Sequence, residues 1–411
     1  MQPHLRQRIE GRTASIVAAS HVGVDLTIGA VAGLLPSIRD DLDLSGGRVA
    51  VIATVLATVS SFGQPLAGRI VDRHGPRWLA VASATVTALV LGAMPILPTF
   101  TALIGAAILG GGGAAIYHPA AATLVRSSVE ERNTTAALGL FAGGGTLGVA
   151  IGPVLATGAA QPLGPFLPLL LALPGVLLAI ALAVATGADR PRHRDGVQER
   201  PRPTSLAESL RRTAPLVVAM SSVHLASVTF STAVPLWLAD HMRSGAIGAT
   251  LAVFSLAAAV GGIAGGRLTT LTGRPSTAVY PMLVAPMAFL GLAHAIPGSA
   301  TWYLLIAAAG ALSSSAIPVA LDAAQGRVSG SVASASGLLM GLPIGIASAT
   351  YLGLTTVIEP IEITHAAVIG GVTTAFAAMV AHRALTPRYS TSTRRPPSCT
   401  CVSGSLAIAT C

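Results

Sequence analysis

Residues 68–77 read GRIVDRHGPR and form a charged turn directly after the second of twelve long apolar stretches. The glycines of this turn allow two helices to approach closely, and its acid and arginines can hold one conformation of a moving protein. A generic basic loop would explain the arginines, but not an acid and glycines at this spacing. The turn therefore predicts a conformational gate. Its residues are Gly68, Asp72, Arg73, Gly75 and Arg77.

The composition predicts a protein that is mostly helix within a membrane. Of the 411 residues, 52% are hydrophobic and 10% are charged, and the mean hydropathy is +0.71. Soluble domains carry about 25% charged residues, so an ordinary globular protein is excluded. The apolar stretches have the length of a spanning helix, about 20 residues. We expect twelve transmembrane helices, at residues 14–36, 48–70, 78–97, 100–125, 135–158, 163–187, 214–240, 246–268, 277–296, 300–323, 333–356 and 362–384.

The basic residues predict the orientation of the chain. All 25 are arginines, and with the N-terminus inside only Arg39, Arg48 and Arg243 fall outside the cytoplasm. This asymmetry favours cytoplasmic positions for both termini, in a multi-pass protein of the bacterial cytoplasmic membrane. The arginines form no single basic face with aromatic residues, so nucleic acid is not an expected partner. The sequence has no lysine and so no Gly-x4-Gly-Lys phosphate loop. We expect no cofactor and energy from the proton motive force.

The chain is predicted to consist of two halves that repeat each other. GRIVDRHGPR at 68–77 aligns with GRLTTLTGRP at 266–275 at an offset of 198 residues, and at the same offset GLFAGGGTLGVAIGP meets GLLMGLPIGIASA. Parallel repeats of this kind build known transporter folds. In the second repeat Thr270 stands where Asp72 would be. The predicted domains are a cytoplasmic N-terminus at 1–13, a six-helix bundle at 14–187, a cytoplasmic linker at 188–213, a second six-helix bundle at 214–384 and a disordered cytoplasmic tail at 385–411 that holds all three cysteines.

Ionisable residues within the first and fourth spans are candidates for a functional site. His21 and Asp25 lie four residues apart, on one helix face, and an ionisable residue in a span costs about 2.5–3.5 kcal/mol. A carboxylate beside an imidazole can exchange a proton near neutral pH, although a static polar pair is the alternative. Tyr117 and His118 lie in span 4, with His118 at the depth of His21, about 10–12 Å inside the membrane. His224 of span 7 lies opposite Asp25 in the repeat and is expected to line the same cavity.

Span 5 carries a spaced glycine pattern, Gly139-x8-Gly148-x3-Gly152-Pro153. Its glycines and proline let the helix bend and pack closely against a neighbour, although small residues at every fourth position are also ordinary packing in membrane helices. Asp322 lies near the cytoplasmic end of span 10. We expect it to be a solvated helix terminus.

Together these motifs resemble the major facilitator superfamily over residues 14–384. In that family the acid of the gate helps to lock the outward-facing state by pairing across the two halves, and the span 5 pattern resembles the antiporter signature. SHVGVDLTIGAVAGLLPSI at 20–38 and GGAAIYHPAAATLV at 112–125 resemble the fosmidomycin resistance protein group. Members of that group are associated with drug export driven by protons. The resemblance implies a proton-coupled antiporter whose proton and substrate cavity contains His21, Asp25, Tyr117, His118 and His224.

The expected function is the export of a small organic molecule by alternating access, with the monomer as the functional unit. An importer of an organic acid or another nutrient keeps the same fold and reverses the direction. A membrane-embedded metalloenzyme would use His21, Asp25, His118 and His224 as ligands. The chain has no His-Glu-x2-His helix and no Gly-x-Ser-x-Gly elbow, so we expect neither a resident metal nor enzymatic activity.

Overall fold

The computed structural model describes residues 3–188, 204–241, 243–328, 330–358 and 362–386, and its regular structure there is helical. Fifteen α-helices and four short 3-10 helices lie within these ranges. The α-helices are α1 Pro3–Asp41, α2 Gly46–Phe62, α3 Gln64–His74, α4 Pro76–Gly92, α5 Phe100–Ser128, α6 Thr134–Leu163, α7 Leu167–Ala188, α8 Leu206–Asp240, α9 Ile247–Thr272, α10 Ser276–Leu292, α11 Ala300–Ser314, α12 Ile317–Arg327, α13 Val332–Met340, α14 Leu342–Thr355 and α15 Ile363–Leu385.

Some of these helices continue one another across a short break. The axes of α2 and α3 differ by 45° at Gly63, and Pro65 lies in the first turn of α3. Proline suits this position because its missing N–H would have no partner in the first turn anyway. Pro318 and Pro343 begin α12 and α14 in the same way. These breaks explain why fifteen helices account for fewer membrane spans.

The structure agrees with the expected fold class in having many apolar helices of membrane-spanning length. Among the described residues, ten helical segments are long and apolar enough to cross a membrane, and the bent pair α2 and α3 would be an eleventh. Residues 276–292, in the segment expected as span 9, form the shorter apolar helix α10. The chain is therefore an all-helical, multi-pass membrane protein, while the count of twelve spans and the side on which the termini lie stay predictions.

The two turns that the sequence aligns each contain a glycine with a positive φ. Gly75 ends α3 with φ of 88°, and Gly273 ends α9 with φ of 65°. Positive φ values favour glycine because it lacks a Cβ. The offset of 198 residues therefore relates two positions that favour glycine, although their ψ angles differ, at 151° and 13°.

Three hydrophobic clusters hold the helices together. One lies among α1 to α7 around Leu34 and Leu91, and another lies among α8 to α15 around Phe254 and Trp302. The third contains buried residues of both sets of helices. Large apolar side chains such as Met287, 70% exposed, cover the outside, as expected for a surface that faces lipid.

Parts of the predicted domain division differ from the described helices. Residues 206–213 were assigned to the linker, but they form the first turns of α8, where Ser205 caps the helix by accepting a hydrogen bond from the Glu208 N–H. Within the predicted N-terminal segment, helix α1 already begins at Pro3. A polar, basic composition does not prevent a helix from extending beyond the lipid. Residues 189–203 and the tail from 387, with its cysteines, lie outside the described residues.

Candidate functional site

The structure brings three ionisable side chains together among the buried parts of α1 and α5. The α-helical rise places His21 and Asp25 on the same face of α1, and His118 reaches them from α5. His21 is 3% exposed, Asp25 9% and His118 8%. We call these three residues the His–Asp–His cluster. The sequence predicted that the two histidines could face each other, and their ring centroids lie 5.0 Å apart.

Both histidines direct the same ring atom at the carboxylate. Nε2 of His118 lies 3.1 Å from Oδ1 of Asp25 and forms a hydrogen bond with it. Nε2 of His21 lies 3.2 Å from Oδ2, close enough for an ion pair but without hydrogen-bond geometry. One ligand atom from each of the three side chains lies within 4.8 Å of the others. The three ligand atoms therefore lie close enough together to share one small cation.

The other ring nitrogens fix the tautomers of the two histidines. Nδ1 of His21 lies 2.7 Å from the carbonyl oxygen of Phe141, and Nδ1 of His118 lies 2.6 Å from that of Ala114. A carbonyl oxygen only accepts, so each Nδ1 carries a proton. The hydrogen bond between His118 Nε2 and Asp25 therefore needs a further proton, on either the imidazole or the carboxyl group. In this arrangement the cluster binds a proton.

Tyr117 lies beside the cluster, as predicted, but its hydroxyl group contacts other residues. The hydroxyl lies 2.7 Å from Oγ of Ser20 and donates a hydrogen bond of 3.3 Å to the Val17 carbonyl oxygen. Its ring centroid is 5.8 Å from that of His21. Tyr117 is fully buried, and its ring therefore closes one side of the cluster.

His224 is not brought to the cluster. Among the described residues, no hydrogen bond, ion pair or ring contact joins His224 to the three cluster residues. The repeat places it at the position equivalent to Asp25, but pseudo-symmetric positions lie in opposite halves and come together only if the two helices meet there. Its role in a shared cavity stays a prediction.

The gate residue Asp72 contacts the other half of the molecule through a helix N-terminus. Its carboxylate accepts hydrogen bonds from the N–H of Ala333 at 2.9 Å, the N–H of Ser334 at 3.0 Å and the hydroxyl of Ser334 at 2.6 Å. These N–H groups belong to the first turn of α13, where a helix has unpaired donors and favours negative charge. Gly68 packs so closely on Ala333 and Ser334 that a Cβ would overlap their backbone.

The arginines of the gate do not take part in this contact. Among the described residues, no ion pair joins Asp72 to Arg73 or Arg77, and Arg77 lies over the ring of Trp78 at 5.8 Å. The acid of the expected latch thus contacts the other half, while the part of the two arginines in the latch stays a prediction. Free N–H groups at a helix start satisfy the carboxylate instead.

The second repeat makes the equivalent contact with a neutral residue. The hydroxyl oxygen of Thr270 accepts a hydrogen bond of 3.2 Å from the N–H of Ala136, in the first turn of α6. Gly266 packs against Thr135 and Ala136 as Gly68 packs against α13. The acid is lost in the second repeat, but the contact between a turn and a helix start is kept.

A second polar contact between the halves was missed by the sequence reasoning. Arg126 of α5 donates a hydrogen bond of 2.6 Å to Asp322 of α12, and the hydroxyl of Thr135 donates another to the same carboxylate. The expectation that Asp322 is a solvated helix terminus is wrong, because two side chains of the other half surround it. Opposite charges at the same end of spans 4 and 10, which are equivalent in the repeat, were the available signal.

The glycines of the span 5 pattern pack against two different helices. Gly148 and Gly152 lie against the carbonyl oxygens of Val22 and Leu26, in α1. A Cβ on Gly139 would lie 3.0 Å from the carbonyl oxygen of Gly262, in α9. Helix α6 therefore packs with one face on α1 and with another on the second set of helices.

Comparison with known proteins identifies the family. Residues 17–350 match the family described as the Major Facilitator Superfamily. Since this match covers most of the chain, the protein belongs to that superfamily and is a membrane transporter. No curated protein matches the chain.

Solved structures agree with the family in fold. The chain is similar to FucP, a transporter of this superfamily in its outward conformation, with a TM-score of 0.71, 15% identity, and coverage of 91% of this chain and 99% of that one. A structure of the Escherichia coli fucose:proton symporter FucP is similar with a TM-score of 0.70 and 13% identity, and the match covers 91% of this chain and 98% of that one. A bacterial homologue of the iron transporter ferroportin in the outward-facing state is similar with a TM-score of 0.70 and 13% identity, and the match covers 90% of this chain and 99% of that one. At these identities the likeness establishes the fold alone.

Proposed function

We propose that this transporter is a proton-coupled antiporter that exports a small organic molecule or drug by alternating access. The observation that carries the proposal is the buried His–Asp–His cluster, which needs a proton to form the hydrogen bond between His118 and Asp25. A proton moving inward across a potential of 100 mV supplies about 2.3 kcal/mol. The motifs shared with the fosmidomycin resistance group and the glycine pattern of span 5 support export of a drug-like cargo.

The contacts between the halves suggest which conformation the molecule has. The Asp72 and Asp322 contacts lie at the end of the bundle that carries the charged turns. With both termini in the cytoplasm, this end is the cytoplasmic one, and the contacts close it. The cluster would then take up a proton from outside, and the cargo would bind after the gate has opened inward. The proposed transporter would work in the bacterial cytoplasmic membrane as a monomer, without a cofactor.

An importer that works by symport is the second candidate. The structural neighbour from Escherichia coli is a fucose:proton symporter, so a protein of this fold moves its cargo together with protons. The buried cluster is compatible with both directions, because a proton can be exchanged for a cargo or accompany it. The direction therefore needs a transport measurement.

The proposal is tested by transport measurements in inverted and in right-side-out vesicles. The compounds used are those that a growth-inhibition panel identifies. In inverted vesicles, an imposed inward-acidic gradient is expected to drive accumulation of the exported compound, and an uncoupler is expected to abolish it. Asp25→Asn should lower this accumulation at least tenfold, while His294→Ala, at an exposed position, should leave it within twofold of the unmodified protein. Accumulation that requires cargo and protons to move in the same direction would establish the importer instead.

A further inference from the structure

We infer that helix α6 positions the coupling site: the Phe141 carbonyl oxygen and the bare backbone of Gly145 hold His21 in place beside Asp25. This inference rests on the proposed function and adds two residues that the motifs did not single out. Gly145 lies between the spaced glycines of span 5 and is not one of them. Neither residue exchanges a proton, so both are positioning residues.

The first contact is between His21 and Phe141. Nδ1 of His21 donates a hydrogen bond of 2.7 Å to the Phe141 carbonyl oxygen. The imidazole also stacks on the Phe141 ring, with centroids 4.0 Å apart and planes 19° apart. Both side chains are buried. A hydrogen bond and a stacked ring on one helix fix both the tautomer and the plane of the imidazole.

The second feature is the lack of a side chain at Gly145, which leaves room for the cluster. A Cβ at this position would lie 2.6 Å from Oδ2 of Asp25 and 2.6 Å from Nε2 of His21, and closer still to Cε1 of His21. Real Cβ atoms do not approach other atoms so closely, so even alanine would displace the imidazole or the carboxylate. The site exists in this form because residue 145 is glycine.

The same helix connects the cluster to the interface between the halves. Gly139 and Gly143, on a neighbouring face of α6, pack against Gly262 and Ile263 of α9. Helix α6 therefore contacts the cluster with one face and the second set of helices with another.

The effect is expected in the pH dependence of transport, because the groups around His21 are few. Helices α6 and α7, which pack against α1, contain no titratable side chain. Between Thr13 and Ile38 of α1, the titratable groups are His21 and Asp25. The other titratable and charged groups on α1, α4 and α5 are Tyr117, His118 and Arg126 of α5, Arg77 at the start of α4, and, towards the two ends of α1, His4, Arg6, Arg8, Glu10, Arg12, Arg39, Asp40 and Asp41.

The test compares Gly145→Ala with Gly158→Ala, in the same helix, where nothing lies within 4 Å of an added Cβ. We expect Gly145→Ala to lower proton-driven transport at least tenfold and to shift its pH optimum by at least half a unit. In the control Gly158→Ala, the transport rate should stay within twofold of that of the unmodified protein, and the pH optimum should be unchanged within experimental error. Transport by Gly145→Ala with an unchanged pH profile would overturn the inference.

A second variant separates an effect through His21 from a general packing defect. In a His21→Ala background, Gly145→Ala should lower transport by a clearly smaller factor than in the unmodified protein, since the clash with the imidazole is gone and only the contact with Oδ2 of Asp25 remains. An equal loss in both backgrounds would show that Gly145 acts on the fold and would overturn the positioning role. Transport without any proton dependence in the unmodified protein would instead contradict the proposed function itself.

A spectroscopic measurement covers the case in which Gly145→Ala does not fold. Imidazole nitrogen signals of the unmodified protein are recorded by solid-state NMR and assigned by their loss in His21→Gln. We expect a protonated, strongly hydrogen-bonded Nδ1 for His21. An unprotonated Nδ1 would exclude the bond to Phe141 and with it the inference, whatever the transport assay shows.

Discussion

At the scale of single residues, this transporter satisfies buried charges with partners that lie far away in the chain. Asp25 is held by His21 of its own helix and by His118, 93 residues away. Asp322 is held by Arg126 and Thr135 of the other half. An unpaired buried charge costs several kcal/mol, so each acid depends on these partners.

The contact between Arg126 and Asp322 makes a prediction about stability. Arg126→Ala should lower the free energy of unfolding by about 1–2 kcal/mol, less than for a fully buried pair because both side chains are about one quarter exposed. The double variant with Asp322→Ala should cost less than the sum of the two single changes. Thermal unfolding of purified protein in detergent measures all three. Strict additivity would show that the two side chains do not interact.

His118 makes a second prediction at this scale. His118→Asn removes the ring nitrogen that bonds to Asp25, and the carboxylate then retains only the ion-pair contact with His21. We expect loss of proton-driven transport by at least tenfold, with cargo exchange in the absence of a gradient reduced much less. Equal losses in the two assays would mean that His118 serves cargo binding or folding instead of coupling.

At the scale of the helix, α6 has the largest demand on small side chains. A Cβ added at Gly148 or Gly152 would overlap the backbone of α1, and one added at Gly139 would meet the backbone of α9 at 3.0 Å. Such close packing gains dispersion energy and is typical of helices in membranes, where no hydrophobic effect drives them together.

Gly148 provides the corresponding prediction. A Cβ there would overlap the Val22 carbonyl oxygen, whereas a Cβ at Gly158 would meet nothing within 4 Å. Gly148→Ala should therefore destabilise the protein by about 1–3 kcal/mol. Gly158→Ala should be neutral or stabilising by up to about 1 kcal/mol, since alanine loses less backbone entropy in a helix. Thermal unfolding of the two variants decides, and equal midpoints would contradict the close packing of α6 on α1.

At the scale of the whole molecule, three polar contacts and the glycine contacts beside them close the end that carries the charged turns. The Asp72 contact is a helix cap made across the two sets of helices, and Thr270 makes its neutral counterpart. A hydrogen bond to a charged group contributes about 1.5–3 kcal/mol. The loss of the Asp72 contact is therefore large enough to change which conformation is populated.

Asp72→Ala is predicted to open this end of the molecule. Three hydrogen bonds are lost, and we expect the closed population to fall at least tenfold relative to the open one, which corresponds to about 1.4 kcal/mol. Spin labels on cysteines at the exposed positions of His74 and Gly326, with the native cysteines replaced, report the change as a longer distance. Ser334→Ala, which removes one hydrogen bond, should have a smaller effect. Unchanged distances in Asp72→Ala would show that this contact does not hold the gate.

The helices, their membrane character, the 198-residue repeat and the ionisable residues were all predictable from the chain's letters. These features are local, because apolar length, glycine turns and buried charges can be read from short windows of the chain. The pairing of His21 with His118 was also within reach, since depth in the membrane follows from position along a helix.

The partners of these residues follow from the way the helices pack in three dimensions. Asp72 binds a helix start and not the arginines beside it, Asp322 is bridged and not solvated, and Gly145 is the glycine that the cluster needs. Such contacts depend on how helices more than a hundred residues apart pack and rotate against each other. No sequence window contains that information, because packing depends on the shapes of both surfaces at once.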